Sequence, residues 1–401
     1  MKASFNQKTA LVSLAVAAVL AASGVFAAHE VKKADKTVKK DDIYDQVELF
    51  GNAVSAIRSD YVTEVESRKI IYGAMRGMLS SLDDFSSFLD PDEFKEVSAE
   101  AKGEFGGIGV EITVKEGIIT IITPIAGTPA DKAGIKPGDK IVKIDGKSTE
   151  DMTINDAVKL MRGDPGTQIM LTVWREKDEK VLDIPIKRAI INITSVKDAY
   201  LIEGKTGYVR LIEFQEKAGR ELEEALKRLE AQGMDALVLD LRNNPGGLLD
   251  AAIDVSEKFL PKDRVIVSTK GRNQSQDNTY KSSGRYLHPE YPIVVIVNDG
   301  SASASEIVAG ALRDNKRAML IGTKTFGKAS VQTVMPLRDG SALKLTTALY
   351  HTPGGKSIMN QGVAPDVIVE PKEMPGQDNQ LREAVNLIKA IKVHKTKAPT
   401  T

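Results

Sequence analysis

Residues 236–247 read ALVLDLRNNPGG and residues 293–306 read IVVIVNDGSASASE, and the fold turns on these two stretches. Each opens on a short, unbroken apolar run. A strand with one wet face alternates apolar and polar residues, whereas an unbroken run fits a strand covered on both faces. Each run then meets small and turn-forming residues, NNPGG or NDGSAS, and a helical pattern follows. Working outward, Tyr208–Phe214 reads as a strand and Glu216–Gln232 as an amphipathic helix. Gly246 and Gly247 lead into a helix through Phe259, Val265–Thr269 is a further strand, and Ser303–Leu312 a further helix. This alternation predicts an α/β domain over 189–372, with helices packed on a sheet. Such sheets bind ligands beyond their strand ends, so both junctions are candidate site loops.

The preceding residues change character twice. Over 102–188 glycines and short β-rich runs dominate (GIGVEITV, GIITIITPI, DKIVKIDG, QIMLTVWRE), with one helical stretch at Ile154–Met161, which predicts a small β-rich module with its own core. Over 43–101 apolar residues recur at helical spacing, first Val47, Leu49, Phe50, Val54 and Ile57, then Ile70, Ile71, Met75 and Met78. Two helices with a break near Asp60–Glu66 fit this pattern, followed by a turn-rich stretch at Ser81–Asp92 and a helix to Ala101. Residues 29–42 are a charged linker, and 373–401 hold a candidate helix at Gln380–Val393 and a polar tail.

Residues 1–28 read as an export signal: Lys2 and Lys8, an apolar run at 10–22, and a small-residue cleavage site at Val25-Phe26-Ala27. Cleavage after Ala27 or Ala28 is one reading, and retention as a membrane anchor is the other. Both place the rest of the chain outside the cytoplasm, as a periplasmic or other extracytoplasmic protein.

Composition removes several chemistries. The 401 residues include no cysteine, which excludes a cysteine nucleophile, thiolate metal sites and disulfides. The 55 basic and 55 acidic side chains cancel, so no overall field draws nucleic acid. No metal site or cofactor is expected. Of the four histidines, His29 lies beside the leader and His394 in the Lys-rich tail, which leaves His288 and His351 for any histidine-dependent catalysis. Neither has an obvious carboxylate to orient it.

In NDGSASASE the helix begins at or near Ser303, where unpaired N–H groups favour a developing oxyanion. Ser301, Ser303 and Ser305 compete for the nucleophile's role. Serine is also a preferred helix cap, and this segment alone favours that simpler role. A serine nucleophile needs a base. Lys328, in the otherwise uncharged GKASVQ, is one candidate; its pKa would have to fall from about 10.4 to roughly 7–8, a shift of about 4 kcal/mol. If the segment is a strand, Lys328 and Gln332 share a face, and the amide can hold the amine. A solvated surface lysine is the rival reading, and spacing alone prefers it.

The motifs taken in order resemble the C-terminal processing peptidases, which join a PDZ domain to a Ser–Lys core. The resemblance runs from about Ile43 to Val369. It rests on YGAMRGML and SLDDFSSFL, then GEFGGIGVEI and GIKPGDKIVKIDG, then DLRNNPGG, NDGSASASEI, TFGKASVQ and GVAPDV. It implies a crotonase-like (ClpP/crotonase-type) α/β protease core, an inserted PDZ domain and N-terminal helices. It further implies Ser303 as nucleophile, Lys328 as general base and Gln332 as the residue orienting the lysine. The oxyanion donors would be the N–H of Ala304 and a glycine N–H of NNPGG, with Gly246 favoured slightly over Gly247. One departure stands out: the family commonly has LDPHS where this chain has Leu82-Asp83-Asp84-Phe85-Ser86. That segment is structural in the family, so altered packing but unaltered catalysis is expected.

The β-rich module has its own physical reading. In GGIGV, glycines let successive N–H groups converge on a terminal carboxylate while a strand edge accepts an extended peptide. Gly107, Ile108, Gly109 and Val110 are the candidate peptide contacts. Arg162, just after the Ile154–Met161 helix, is either a solvated helix-end arginine or, by analogy with regulated family members, a relay from the PDZ domain to the Lys–Gln pair. The expected partners are protein or peptide substrates with accessible C-termini, with room for an activator or adaptor protein and for a homo-oligomer. The rivals are a non-catalytic PDZ adaptor or inactivated relative, and an acyl-CoA enzyme on a crotonase-like fold.

Overall fold

The computed structural model describes residues 43–203, 205–285, 287–372 and 377–397, the side chains of 395–397 excepted. The export signal and linker expected over 1–42 lie outside the described residues. The described residues divide into two compact units between Ile71 and Tyr72. In the first, the helix Ile43–Asp60 has no buried residue, and the next helix starts at Ser67, so the break falls where the lost periodicity predicts it.

In the second unit, the strand Ala236–Asp240 is buried throughout, which is why its sequence does not alternate. Leu237 and Leu239 join a core with Leu222, Leu226 and Val255 from the helices Ala218–Ala231 and Leu249–Glu257. Ala236 and Val238 face the other way, against Ala384 and Ile388 of the helix Asn379–Lys397. The sheet runs Val196–Ile202, Thr206–Leu211, Ala236–Asp240, Ile293–Val297, Met319–Gly322, Val367–Ile368. The first pair is antiparallel and the rest are parallel. The helix Ala304–Asp314 follows the strand Ile293–Val297 and is buried from Ala304 to Leu312.

A second, antiparallel sheet goes beyond the alternation read from sequence. Its strand Ala342–His351 pairs with Ser330–Pro336 along most of its length, with Ser87–Leu89 near its start and with Val265–Gly271 near its end. His351 is the last residue of this strand. The single strand proposed to carry both Lys328 and Gln332 is also corrected. The strand begins at Ser330, after Lys328, and its register shifts between Val331 and Gln332, so simple alternation does not relate the two side chains.

The β-rich module forms a sheet of its own from Val110–Lys115, Ile118–Pro124, Lys140–Ile144, Gln168–Arg175 and Lys180–Lys187, with Lys147–Ser148 paired at one strand. Ile119, Ile121, Ile141, Ile144, Leu171 and Val173 fill a separate core. The helix Ile154–Met161 starts at Thr153, whose hydroxyl accepts from Asp156 N–H in a capping box. A short helix at Pro129–Lys132 was not legible. The antiparallel pair Glu104–Gly107 with Ala189–Asn192 brings the chain in and out of the module side by side.

Candidate active site

The two junction loops are stitched together before any catalytic group is considered. Ser301 Oγ donates to Leu241 O at 2.7 Å and Ser305 Oγ to Asn244 O at 2.9 Å. Asn244 Nδ2 in turn donates to Leu211 O at 2.8 Å. These bonds account for two of the three competing serines as local supports. Ser303 is different. It stands at the N-cap of the helix Ala304–Asp314 with φ 52° and ψ −112°, where an ordinary cap would be extended. A non-glycine residue there is uncommon and strained, and such strain gathers at functional sites.

Gly246 explains how the first loop approaches it. Its φ is +106°, and a Cβ there would lie 2.8 Å from both Ala302 O and Ser303 Cβ. Only glycine permits that contact. Its N–H donates to Asn244 Oδ1 at 3.0 Å. The N–H groups of Gly247 and Ala304 make no hydrogen bond among the described residues.

Ser303, Lys328, Gln332 and Gly247 line one cleft of about 850 Å³, together with Ser330, Lys344, Tyr350, Asp250, Glu213 and Glu100. No hydrogen bond joins Ser303 Oγ to Lys328 Nζ. The amine lies 4.5 Å from the centroid of the Phe85 ring. Burial pushes the Lys328 amine below its usual range, and the charge of Lys344 pushes the same way. The π face opposes both by favouring the ammonium. Gln332 Nε2 and Ser330 Oγ are buried without a hydrogen-bond partner.

The segment expected to be only structural therefore reaches the site. Asp83 accepts from the N–H groups of Phe85 and Ser86 at 2.8 and 2.7 Å and from Ser86 Oγ at 2.9 Å. Ser86 Oγ accepts from Thr346 N–H at 3.1 Å, which docks the turn on the strand that carries Lys344. Neither Phe85 nor Lys344 was legible, because their approach depends on sheet pairing. Glu306 was overlooked for another reason. The capping-box pattern Ser-x-x-Glu marks it, yet it reads as routine helix chemistry. It is wholly buried, and burial raises its carboxyl while hydrogen bonds from Thr325, Gly327, Lys328 and Ser303 oppose the rise.

The histidines lie elsewhere. His288, thought to lack an orienting carboxylate, has two, with Glu230 2.7 Å from Nδ1 and Glu223 3.1 Å from Nε2. Both belong to the helix Ala218–Ala231, and His288 does not line the cleft. His351 Nδ1 is buried without a partner.

In the β-rich module, Gly107–Val110 form the turn between two strands. Ile108 O accepts from Ala130 N–H and Gly109 O from Ile125 N–H, while the N–H groups of Ile108 and Gly109 make no hydrogen bond among the described residues. Gly109 has φ +78°, and a Cβ there would meet Thr128 at 2.5 Å. Ile108's side chain is core, so its contact with a peptide could come only from its backbone. Arg162 caps the helix Ile154–Met161, pairs with Glu100 at 2.9 Å and lies over Phe105 at 5.2 Å. The structure gives it no contact with Lys328 or Gln332. Among the described residues no cluster of three or more His, Asp or Glu could hold a metal ion.

Comparison with known proteins agrees with this layout. Residues 205–369 match the model for peptidase family S41, 120–175 that for a PDZ domain, and 11–93 that for the activating protease CtpB N-terminal domain. A carboxy-terminal-processing protease of Bartonella bacilliformis is 47% identical over 87% of this chain and 81% of its own length. The carboxy-terminal processing protease CtpA of Bacillus subtilis is 39% identical over 80% of this chain and 68% of its own. Among solved structures, the photosystem II D1 C-terminal processing protease is 32% identical, with a TM-score of 0.49 over 84% of this chain and 95% of that one. The chain belongs to peptidase family S41, as a serine protease of the carboxy-terminal-processing type that carries a PDZ domain.

Proposed function

We propose that this peptidase is exported, binds the C-termini of protein substrates in its PDZ groove and cuts them with Ser303 as nucleophile and Lys328 as base. The observation that carries the reading is a strained serine at a helix N-terminus sharing one cleft with a lysine whose ammonium form is disfavoured. Neutral Lys328 takes the Ser303 Oγ proton as Oγ attacks the scissile carbonyl carbon. The tetrahedral oxyanion is held by backbone N–H groups, and the C–N bond then breaks as Lys328 returns its proton to the leaving amine. Water, deprotonated by the same amine, hydrolyses the acyl-enzyme and regenerates Ser303.

Ala304 N–H is one oxyanion donor. Gly246 serves as the second only if its N–H leaves Asn244, and Gly247 N–H is the alternative. Gln332 orients the amine through its carbonyl oxygen, which accepts from an Nζ–H and leaves the lone pair free for the Ser303 proton. Substrate carboxylate is captured by the N–H groups of Gly107–Val110, and Arg162 acts on the cleft through Glu100. The parallel sheet with its crossover helices supports a crotonase-like core, bounded at 189 and 372. The apolar leader supports export.

The test is cleavage of a protein with an apolar C-terminal tail by Ser303→Ala and Lys328→Ala, assayed separately. Loss in both is expected. Full activity in either variant ends the dyad assignment, and an unaltered chain that binds the tail without cutting it favours the adaptor reading. Amidating the tail's C-terminus should weaken cleavage; indifference would remove carboxylate capture.

A further inference from the structure

The Glu306 carboxylate is bonded on both oxygens to the segments that carry the proposed nucleophile and base. Oε2 accepts from Ser303 N–H and Lys328 N–H, each at 2.9 Å. Oε1 accepts from Gly327 N–H at 2.8 Å and Thr325 Oγ1 at 2.5 Å. A single buried oxygen thus ties the backbone of Ser303 to that of Lys328. Thr325 extends the frame, because its hydroxyl also accepts from Val363 N–H at 2.6 Å.

Where the charge sits matters as much as the bonds. A carboxylate against Lys328 Nζ would hold the lysine protonated and useless as a base. Glu306 grips the backbone instead, and the amine is left among Phe85 and the cleft. The Ser303 backbone is strained, and such a conformation persists only where its surroundings over-determine it. The bond from Ser303 N–H to Glu306 is one such constraint, closed within the first turn of the same helix.

We infer that Glu306 is a positioning residue of the peptidase reaction. It sets Ser303 and Lys328 in one backbone frame, so that Oγ and Nζ meet when substrate fills the cleft. This rests on the reading of those two residues as nucleophile and base, and it adds a third group that touches neither the substrate nor the reacting atoms. Misplacement of a reacting pair by about 1 Å lowers rate by on the order of 100-fold, and a carboxylate that fixes both backbones has leverage of that size.

The experiment measures kcat and KM for a tailed peptide, with thermal melting, in Glu306→Gln, Thr325→Val and Thr325→Ser. In Glu306→Gln the amide nitrogen faces either the two N–H donors of Ser303 and Lys328 or the Gly327 N–H beside a Thr325 hydroxyl that can turn to accept, so at least one of the four bonds is lost. The expected result is a cooperative melt, KM within about two-fold and kcat down roughly 10- to 100-fold. Thr325→Val should lose part of kcat at unchanged KM, and Thr325→Ser, which restores the hydroxyl, should recover it. Wild-type kcat in a folded Glu306→Gln overturns the inference, as does a loss confined to KM. If Glu306→Gln does not fold, the threonine pair decides, and equal kcat in Thr325→Val and Thr325→Ser overturns it. Ser303→Ala and Lys328→Ala are run alongside. Cleavage by either removes the dyad and this inference with it, whereas inactive dyad variants beside a fully active Glu306→Gln remove only the role of Glu306.

Discussion

Lys328 has to be neutral to take a proton, and the surroundings of its amine set the pH at which that happens. Burial comes first and the Lys344 charge second, both lowering the pKa from the ordinary 10.5. Activity should therefore rise with pH along a limb that lies below 10.5, as the amine loses its proton. Lys344→Gln removes a repelling charge and should move that limb to higher pH. A pH profile of kcat/KM checks both, and a limb that moves downward would contradict the sign. The same shift has a stability consequence. The folded chain releases this proton at lower pH than the unfolded chain, so below the folded pKa the charged amine is a cost, and stability rises with pH from there to about 10.4. Lys328→Met should thus melt no lower than the unaltered protein at pH 7 while failing to cleave. A drop in melting temperature would show that the amine is a structural asset.

Among the elements, the turn Pro137-Gly138-Asp139 was legible as a motif, but the work of its aspartate was not. Asp139 is buried and pairs with Arg175 through two bonds, Nε to Oδ1 at 2.8 Å and Nη2 to Oδ2 at 2.7 Å. Its Oδ2 also accepts from Lys136 N–H at 2.8 Å. Asp139→Ala leaves a largely buried guanidinium without its partner, so PDZ-module stability should fall by about 3–5 kcal/mol in chemical denaturation. In the α/β core, Gly246→Ala sets a Cβ against Ser303 and demands φ near +106° of an L-residue. Its expected cost is about 1–3 kcal/mol of stability with cleavage lost. Cleavage at the wild-type rate would mean that the loop has room the geometry denies it. Apart from the short helix Pro129–Lys132, the strands and helices around these sites were read within a few residues, because each has an apolar run or a periodicity of its own. The hairpin Ser330–Pro336 with Ala342–His351 was not: its side chains are partly buried, and its pairing involves a register shift.

For the molecule as a whole, the PDZ module and the α/β core have separate apolar interiors. The chain enters and leaves the module through one antiparallel pair in which Gly107 is opposite Ala189, and ion pairs such as Arg162 with Glu100 add to it. Replacing 108–188 by an Asn-Gly turn should therefore leave a core that folds and melts cooperatively, since a two-residue hairpin suits that register. Such a core should lose its preference for a free substrate C-terminus. Failure to fold would mean that contacts the replacement removes, such as Arg162 with Glu100 at 2.9 Å and Lys95 with Asp164 at 2.6 Å, are needed by the core.

By itself the sequence determined the alternating α/β core, the β-rich insert and the small-residue junctions that hold Ser303 and Gly246, because periodicity and turn chemistry are local properties. Residue chemistry alone left Ser303 as a cap and Lys328 as a surface lysine, and the ordered motifs were needed to read them otherwise. Tertiary structure alone decided what surrounds the amine. Phe85 and Lys344 come from separate parts of the chain, and strand pairing with loop closure brings both beside Lys328, whose backbone Glu306 holds. A pKa depends on distance and burial in space, which no local pattern encodes.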